Sequence, residues 1–334
     1  MKAINIFTDI PELVITKKSK EVLDFLKKPT LFHVDNKKEK TIFISGSLHG
    51  NEPTGFLVIK KLLRKYKNGE IDLPFNLLCF VGNIEALAKE PMFSHRFLEG
   101  QKDLNRVWEP DTTHPVAREV LDYIENMNII GGVDIHNNSG NNPVYGVIVD
   151  AKEETMKFVD HLVKYQIYYD SYLPTLVHEM SRRGIPFVTV ECGHRKDKSS
   201  NEHGMGAALK TIEFFSGKKA PISNERFLYE NVRRVLVDPE ISVTAHDERA
   251  DLTIRPDIEE FNFQHIPQGT PLAKTSVSHM PIYVDLEGKD VTEEWFVLRH
   301  GEILFKQDCW ILMATSDEVV MKQDVIFYIA QARE

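Results

Sequence analysis

Over its first 215 or so residues this 334-residue chain alternates short β-type apolar runs with longer amphipathic stretches, and from about Ile222 only the β-type runs recur. That change of texture constrains the fold most, because strands separated by helix-length patterns build a sheet with helices packed on its faces. The strand candidates are 41–45, 76–81, 132–135, 145–149 and 186–191, rich in Val, Ile and Phe and bounded by Gly, Pro or Asn. Between them, 54–66 carries apolar residues at Phe56, Ile59, Leu62 and Leu63. The stretch 115–127 opens with proline and aligns Val116, Val120, Leu121 and Ile124 on one stripe. Later runs at 235–237, 242–244, 263–266, 282–284, 295–298, 303–305 and 325–330 are separated by turn signals. The expectation is an α/β domain over 1–218 with a mixed sheet flanked by helices, followed by a smaller β-rich domain over 219–334.

Composition limits what such a chain can do. A hydrophobic share of 42% and a charged share of 27% are ordinary for a globular protein, so neither a disordered nor a fibrous architecture is indicated. The formal net charge of −9 argues against a nucleic-acid partner, while leaving room for a local basic pocket. Cys79, Cys192 and Cys309 lie in or beside apolar runs with no Cys-x-x-Cys spacing, which reads as buried free thiols in a reducing compartment. The opening residues lack a signal-peptide core, and no apolar stretch reaches the length of a membrane span. A cytoplasmic protein with a small-molecule partner and no membrane partner is expected, and homo-oligomerisation is left open.

The chemistry is concentrated at the ends of the expected strands. His49 and Glu52 stand three residues apart where 41–45 gives way to the 54–66 helix, with Pro53 at an early helical position. An imidazole and a carboxylate so placed can converge on one cation, although the pair alone also reads as a solvated helix start with Glu52 favoured by the helix dipole. A catalytic zinc needs a third protein ligand, and His136 supplies a candidate in a second apolar strand that runs into a polar loop. Two ligands close in sequence and one from afar leave a fourth position for water, the layout of hydrolytic zinc.

Two more places bear on a reaction. Asn105 and Arg106 set an amide beside a guanidinium whose planar fork suits a carboxylate. Glu191 ends an apolar strand, where an unpaired charge is costly. One reading makes it the general base that takes a proton from water and returns it to a leaving amine. The other makes it a buried carboxylate paired with Arg182 or Arg183. His194 is read as solvated or hydrogen-bonded.

Taken in order, His49-x-x-Glu52, Asp103-Leu-Asn-Arg106, Asp134-Ile-His136 and Glu191-Cys-Gly193 resemble the succinylglutamate desuccinylase/aspartoacylase family, deacylating relatives of the zinc carboxypeptidases. The likeness spans most of 41–195, and the β-rich tail resembles that family's C-terminal domain, which partly covers the active site. The resemblance implies a carboxypeptidase-like fold and one zinc per chain held by His49, Glu52 and His136. It further implies Glu191 as general base and acid, and Asn105 with Arg106 as the grip on a substrate carboxylate. Arg96, in Arg96-Phe-Leu-Glu99, matches a family run that precedes Asp-x-Asn-Arg, which implies a part in stabilising the oxyanion.

The chain departs from the aspartate-specific branch. Residues 315–322 lack that branch's substrate-binding tyrosine, and the segment before Glu191 carries Arg182 and Arg183 without a tyrosine one turn upstream. Either arginine would read a second substrate carboxylate, or both are solvated charges before the turn at 184–186. The function expected is a zinc amidohydrolase that removes the acyl group from an N-acyl amino acid or related small carboxylate. A carboxypeptidase would use the same residues, and a non-catalytic ligand-binding protein could keep the same pocket.

Overall fold

Every residue of the run Asn76–Val81 is buried, which is the pattern of an inner strand covered on both faces. The computed structural model describes residues 2–218, 225–246, 249–286 and 288–333. The expected boundary after residue 218, and the texture change at Ile222, fall on or against 219–224, which lie outside the described residues. Contacts divide the chain into one unit of Met1–Asn137, Val144–Gln166 and Leu173–Arg226, and a second of Asn138–Pro143, Ile167–Tyr172 and Phe227–Glu334.

The first unit is α/β. Its strands are β1 (Asn5–Phe7), β2 (Thr30–Val34), β3 (Lys40–Gly46), β4 (Asn76–Val81), β5 (Asn128–Asn138), β6 (Tyr145–Ile148) and β7 (Phe187–His194). They lie side by side in the order β1-β2-β4-β3-β5-β7-β6. The sheet is mixed, since β3 is parallel to β4 and β5 while β2 runs against β4 and β6 against β7. A further strand, Tyr165–Tyr168, straddles the division between units.

Helices pack on this sheet: α1 (Glu12–Thr16), α2 (Ser19–Leu26), α3 (Thr54–Lys67), α4 (Ile84–Ala88), α5 (Pro115–Ile124), α6 (Glu153–Leu162), α7 (Leu176–Arg182) and α8 (Ser199–Phe215). In α5, Pro115 starts the first turn and Ala117, Val120, Leu121 and Ile124 form the buried stripe. The helix stops three residues short of the expected end, because 125–127 must turn the chain into β5. One core cluster joins Phe43 and Phe80 of the sheet to Val120 and Ile124 of α5 and Met180 of α7 around the fully buried Trp108. The indole satisfies its N–H on the carbonyl of Leu104 at 2.6 Å, so the largest side chain of the core costs no unpaired donor.

The second unit is mostly β, as its run of short strands indicates. Phe227–Val237, Phe327–Arg333, Cys309–Leu312 and Gln264–Ile266 are neighbours in one sheet. A second sheet orders Val243–Thr244, Leu252–Ile254, Pro271–Thr275, Glu302–Phe305 and Phe296–Arg299. The expected strand 295–298 begins one residue later, since Trp295 closes the short helix Thr292–Trp295. Its core gathers Val235, Leu252, Ile254, Phe305, Ile311 and Phe327. All three cysteines are free and buried. Among the described residues no helix is long and apolar enough to cross a membrane.

Candidate metal centre

The loop from β3 to α3 is shaped by two close backbone approaches and one hydroxyl. A Cβ on Gly46 would stand 2.6 Å from the Cα of Gly55, so strand end and helix start nearly touch. A Cβ on Gly50 would stand 2.4 Å from that of Ala86 and 2.7 Å from the carbonyl of His95, while its N–H donates to the carbonyl of Arg96 at 2.8 Å. Ser47 turns the chain with φ 54°. Its hydroxyl donates to the carbonyl of Glu52 at 2.8 Å and accepts the N–H of Phe56 at 2.9 Å, tying the first turn of α3 to the strand.

His49 and Glu52 hang in this loop, and parallel pairing of β3 with β5 brings His136 beside them. His49 Nδ1 lies 2.7 Å from Glu52 Oε1, and His136 Nδ1 lies 2.8 Å from Glu52 Oε2. All three residues are buried. The outer nitrogen of each ring faces a second carboxylate: His49 Nε2 is 2.9 Å from Asp103 Oδ1, and His136 Nε2 is 2.7 Å from Asp134 Oδ2. Asp134 is fixed in turn by the hydroxyl of Ser45 at 2.5 Å, its partner across β3 and β5.

This pattern fixes the tautomers by argument. A ring that donates Nε2–H to an aspartate presents a lone pair at Nδ1, and a lone pair facing a carboxylate oxygen is favourable only with a proton or a cation between them. The electrostatics agree. Burial alone would lower both imidazoles and Arg96 opposes His49 further, yet Asp103 and Glu52 raise His49 overall, and Asp134 and Glu52 raise His136 well above the ordinary value. Burial likewise pushes Glu52 up, but the two imidazoles hold it well below the usual carboxylate range. The candidate ligand atoms all lie within 4.8 Å of one another. Two nitrogens and a carboxylate, each ring backed by an aspartate, fit a divalent cation of the zinc type.

The other expected residues divide into those that join this group and those that do not. Arg96 joins it, with Nη1 3.9 Å from Glu52 Oε1 and Nη2 3.1 Å from Asp103 Oδ2. Asp103 also accepts the N–H of Asn105 at 2.8 Å, and its carboxyl is held far below the ordinary range, since His49, Arg96 and Arg106 outweigh burial. Asn105 is buried, and its Oδ1 accepts the N–H of Leu176 at the start of α7 at 3.3 Å. Arg106 donates to the carbonyl of Asn105 at 2.9 Å.

Glu191 sits within β7 opposite Tyr145, not at the strand's last residue, because Cys192 to His194 continue the ladder. Its Oε2 is shut off from solvent and has no hydrogen-bond partner among the described residues. Burial raises its carboxyl to about 7; His136 and His49 pull it down, and Glu52 and Asp134 push it up. The alternative that Arg182 or Arg183 neutralises Glu191 gives way to a different pairing. Arg182 Nε and Nη2 fork onto Glu179 at 2.7 and 2.8 Å, and Arg183 Nε reaches the same carboxylate at 2.7 Å while its Nη1 donates to Glu125. Glu179 is almost wholly buried and requires that compensation. The structure therefore does not bring Arg182 and Arg183 to the cluster as substrate-binding groups. His194 Nδ1 accepts the N–H of Lys196, as a loop histidine would.

Three residues went unassigned in the sequence reading. Asp134 was legible, since positions two apart in a strand share a face and so place its carboxylate beside His136. Asp103 carried no local signal that it would meet His49, 54 residues away. Asn137 adds a backbone N–H to Glu52 Oε2 at 3.2 Å. A cavity of about 660 Å³, lined by His161, Tyr165, Val190, His203, Gly206 and Lys210 among others, does not include the three candidate ligands.

The fold and this cluster define an α/β protein of the carboxypeptidase-like deacylase fold with a buried His-Glu-His group. Residues 38–203 match the succinylglutamate desuccinylase/aspartoacylase catalytic domain. Comparison with curated proteins returned no match. Among solved structures, a succinylglutamate desuccinylase from Vibrio parahaemolyticus is 15% identical with a TM-score of 0.61, over 90% of this chain and 83% of that one. A succinylglutamate desuccinylase/aspartoacylase from Rhodobacter sphaeroides is 14% identical with a TM-score of 0.60, over 88% and 85%. Murine aminoacylase 3 is 18% identical with a TM-score of 0.59, over 88% and 96%. At these identities the likeness is one of fold.

Proposed function

We propose that the chain is a zinc-dependent amidohydrolase that removes the acyl group from an N-acyl amino acid or a related small carboxylate. The observation that carries this reading is a buried carboxyl without a partner, Glu191 Oε2, in the same electrostatic group as two imidazoles converging on Glu52. The relatives' names, succinylglutamate desuccinylase and aminoacylase, support the same bond type. In this reading the catalytic domain is 1–218 and the β-rich domain 219–334.

His49, Glu52 and His136 would hold one zinc ion, and Asp103 and Asp134 would keep the two rings in the tautomer that offers Nδ1. Zinc bound there would supply Lewis acidity, lowering the pKa of water and polarising an amide carbonyl. Glu191 accepts the proton of the attacking water and returns it to the amine nitrogen as the C–N bond breaks. A carboxyl that titrates near neutrality suits both halves of that task. Arg96 places fixed positive charge where the oxyanion develops, and Asn105 with Arg106 grips the carboxylate of the amino acid.

The deciding experiment is turnover of a panel of N-acetyl, N-succinyl and longer N-acyl amino acids, run with elemental analysis. Wild type should carry about one zinc per chain and a His49→Ala/His136→Ala variant almost none. Glu191→Gln should keep the metal and lose turnover by a factor of about 10²–10⁴. Equal metal in wild type and the double variant would end the zinc assignment, and full activity in Glu191→Gln would end the role of the base. Preferential release of C-terminal residues from peptides would make the protein a carboxypeptidase instead.

A further inference from the structure

Asn137 commits its backbone N–H and both ends of its side-chain amide to hydrogen bonds beside the metal cluster. Its backbone N–H donates to Glu52 Oε2 at 3.2 Å, its Oδ1 accepts the N–H of Thr54 at 3.2 Å, and its Nδ2 donates to the carbonyl of Gly193 at 3.3 Å. All three bonds are buried, and the residue is only 4% exposed. The partners belong to two segments, the loop and first turn of α3 that carry Glu52 and β7 two residues beyond Glu191, while Asn137 itself directly follows His136 in β5. The carbonyl of Gly193 follows a backbone at φ +106°, a region closed to most side chains.

We propose that Asn137 is a positioning residue that sets the separation between the general base and the metal ligands, acting through the strand of Glu191. The inference rests on the amidohydrolase reading above. Only an amide of this length serves both side-chain bonds. Aspartate would keep an acceptor for Thr54 but meet the Gly193 carbonyl with oxygen against oxygen. Glutamine would carry its amide one methylene too far. The backbone bond to Glu52 survives any side-chain change, so the metal ligands themselves are not what the amide holds. A displacement of about 1 Å between base and reacting atoms is enough to lose roughly 100-fold in rate.

The test compares Asn137→Ala and Asn137→Asp with wild type, all zinc-loaded, by steady-state kinetics, chelator competition for zinc, and hydrogen exchange of backbone amides. Both variants should lose kcat by about 10- to 100-fold with KM changed less than about threefold, and zinc affinity should stay within about threefold. Exchange at Thr54 should speed up in Asn137→Ala but not in Asn137→Asp, because only the latter keeps an acceptor there. Exchange in the segment around Gly193 should speed up in both. The proposal is overturned if kcat stays within twofold in both variants, if zinc affinity falls in step with kcat, or if exchange around Gly193 is unchanged. Wild-type protein that turns over nothing on the acyl panel would defeat the hydrolase reading, while the exchange pattern would still decide whether Asn137 ties the two segments.

Discussion

Glu191 holds a carboxyl raised from 4.5 to about 7, chiefly by burial, and among the described residues its Oε2 has no hydrogen-bond partner to relieve it. A carboxyl raised on folding contributes stability that is fully present below its ordinary value and is lost as pH rises through about 7. Glu191→Gln removes that dependence. With metal chelated, the variant should therefore match wild type in urea unfolding near pH 4 and exceed it by about 2 kcal/mol above pH 8, after allowance for the residue's partial exposure. The same difference at both pH values would show that the carboxyl is not strained. Activity should run the other way, falling as Glu191 is protonated, with an acid limb no higher than about pH 7. The three ligand candidates were readable because each combines a metal-binding side chain with a strand end. The alternative that pairs Glu191 with Arg182 or Arg183 rests on both arginines preceding it in sequence, while the helical spacing of three and four residues sends them to Glu179.

At the scale of elements, one glycine in α3 and one in α8 answer opposite questions. Gly55 lies where a Cβ would meet the Ser47 nitrogen at 2.5 Å, whereas a Cβ on Gly206 would have nothing within 4 Å. Alanine is the better helix former by about 1 kcal/mol, so Gly206→Ala should stabilise the protein by up to that amount. Gly55→Ala should reverse the sign, costing about 1–3 kcal/mol through overpacking and displacing the loop that carries Glu52. Thermal unfolding of the pair checks this, and a stabilised Gly55→Ala would refute the close approach of β3 and α3. The inner strands were legible because burial on both faces leaves continuous apolar runs such as Asn76–Val81. β5 runs past its expected end because its last residues are polar, and β7 does so through Cys192, Gly193 and His194, where a glycine resembles the start of a loop. Leu252–Ile254 and Pro271–Thr275, only 3 and 5 residues long, are too short for a clear alternation.

Across the whole molecule, all three candidate ligands belong to the first unit, as does Trp108, while Trp295 and Trp310 belong to the second. A ligand that binds only the folded state at about 1,000 times its Kd adds roughly 4 kcal/mol. In a Trp295→Phe/Trp310→Phe variant, the thermal midpoint reported by Trp108 should therefore drop by several degrees on chelation. A Trp108→Phe variant, reporting from the second unit, should move less, and equal shifts would show that the metal does not act through the first unit. The architecture was legible at this scale because the change from alternating elements to strands alone is a long-range feature that single residues do not blur. The substrate of the proposed reaction was not, since its identity depends on side chains brought together from distant segments. Asp103 is the clearest of these, taking His49 and Asn105 on one oxygen and Arg96 on the other. One codon thus governs a ligand, a charge beside it and the segment of the proposed grip, so a change there would present in a genetic screen as the loss of several tasks at once, and a suppressor restoring any one partner would leave the others unrepaired.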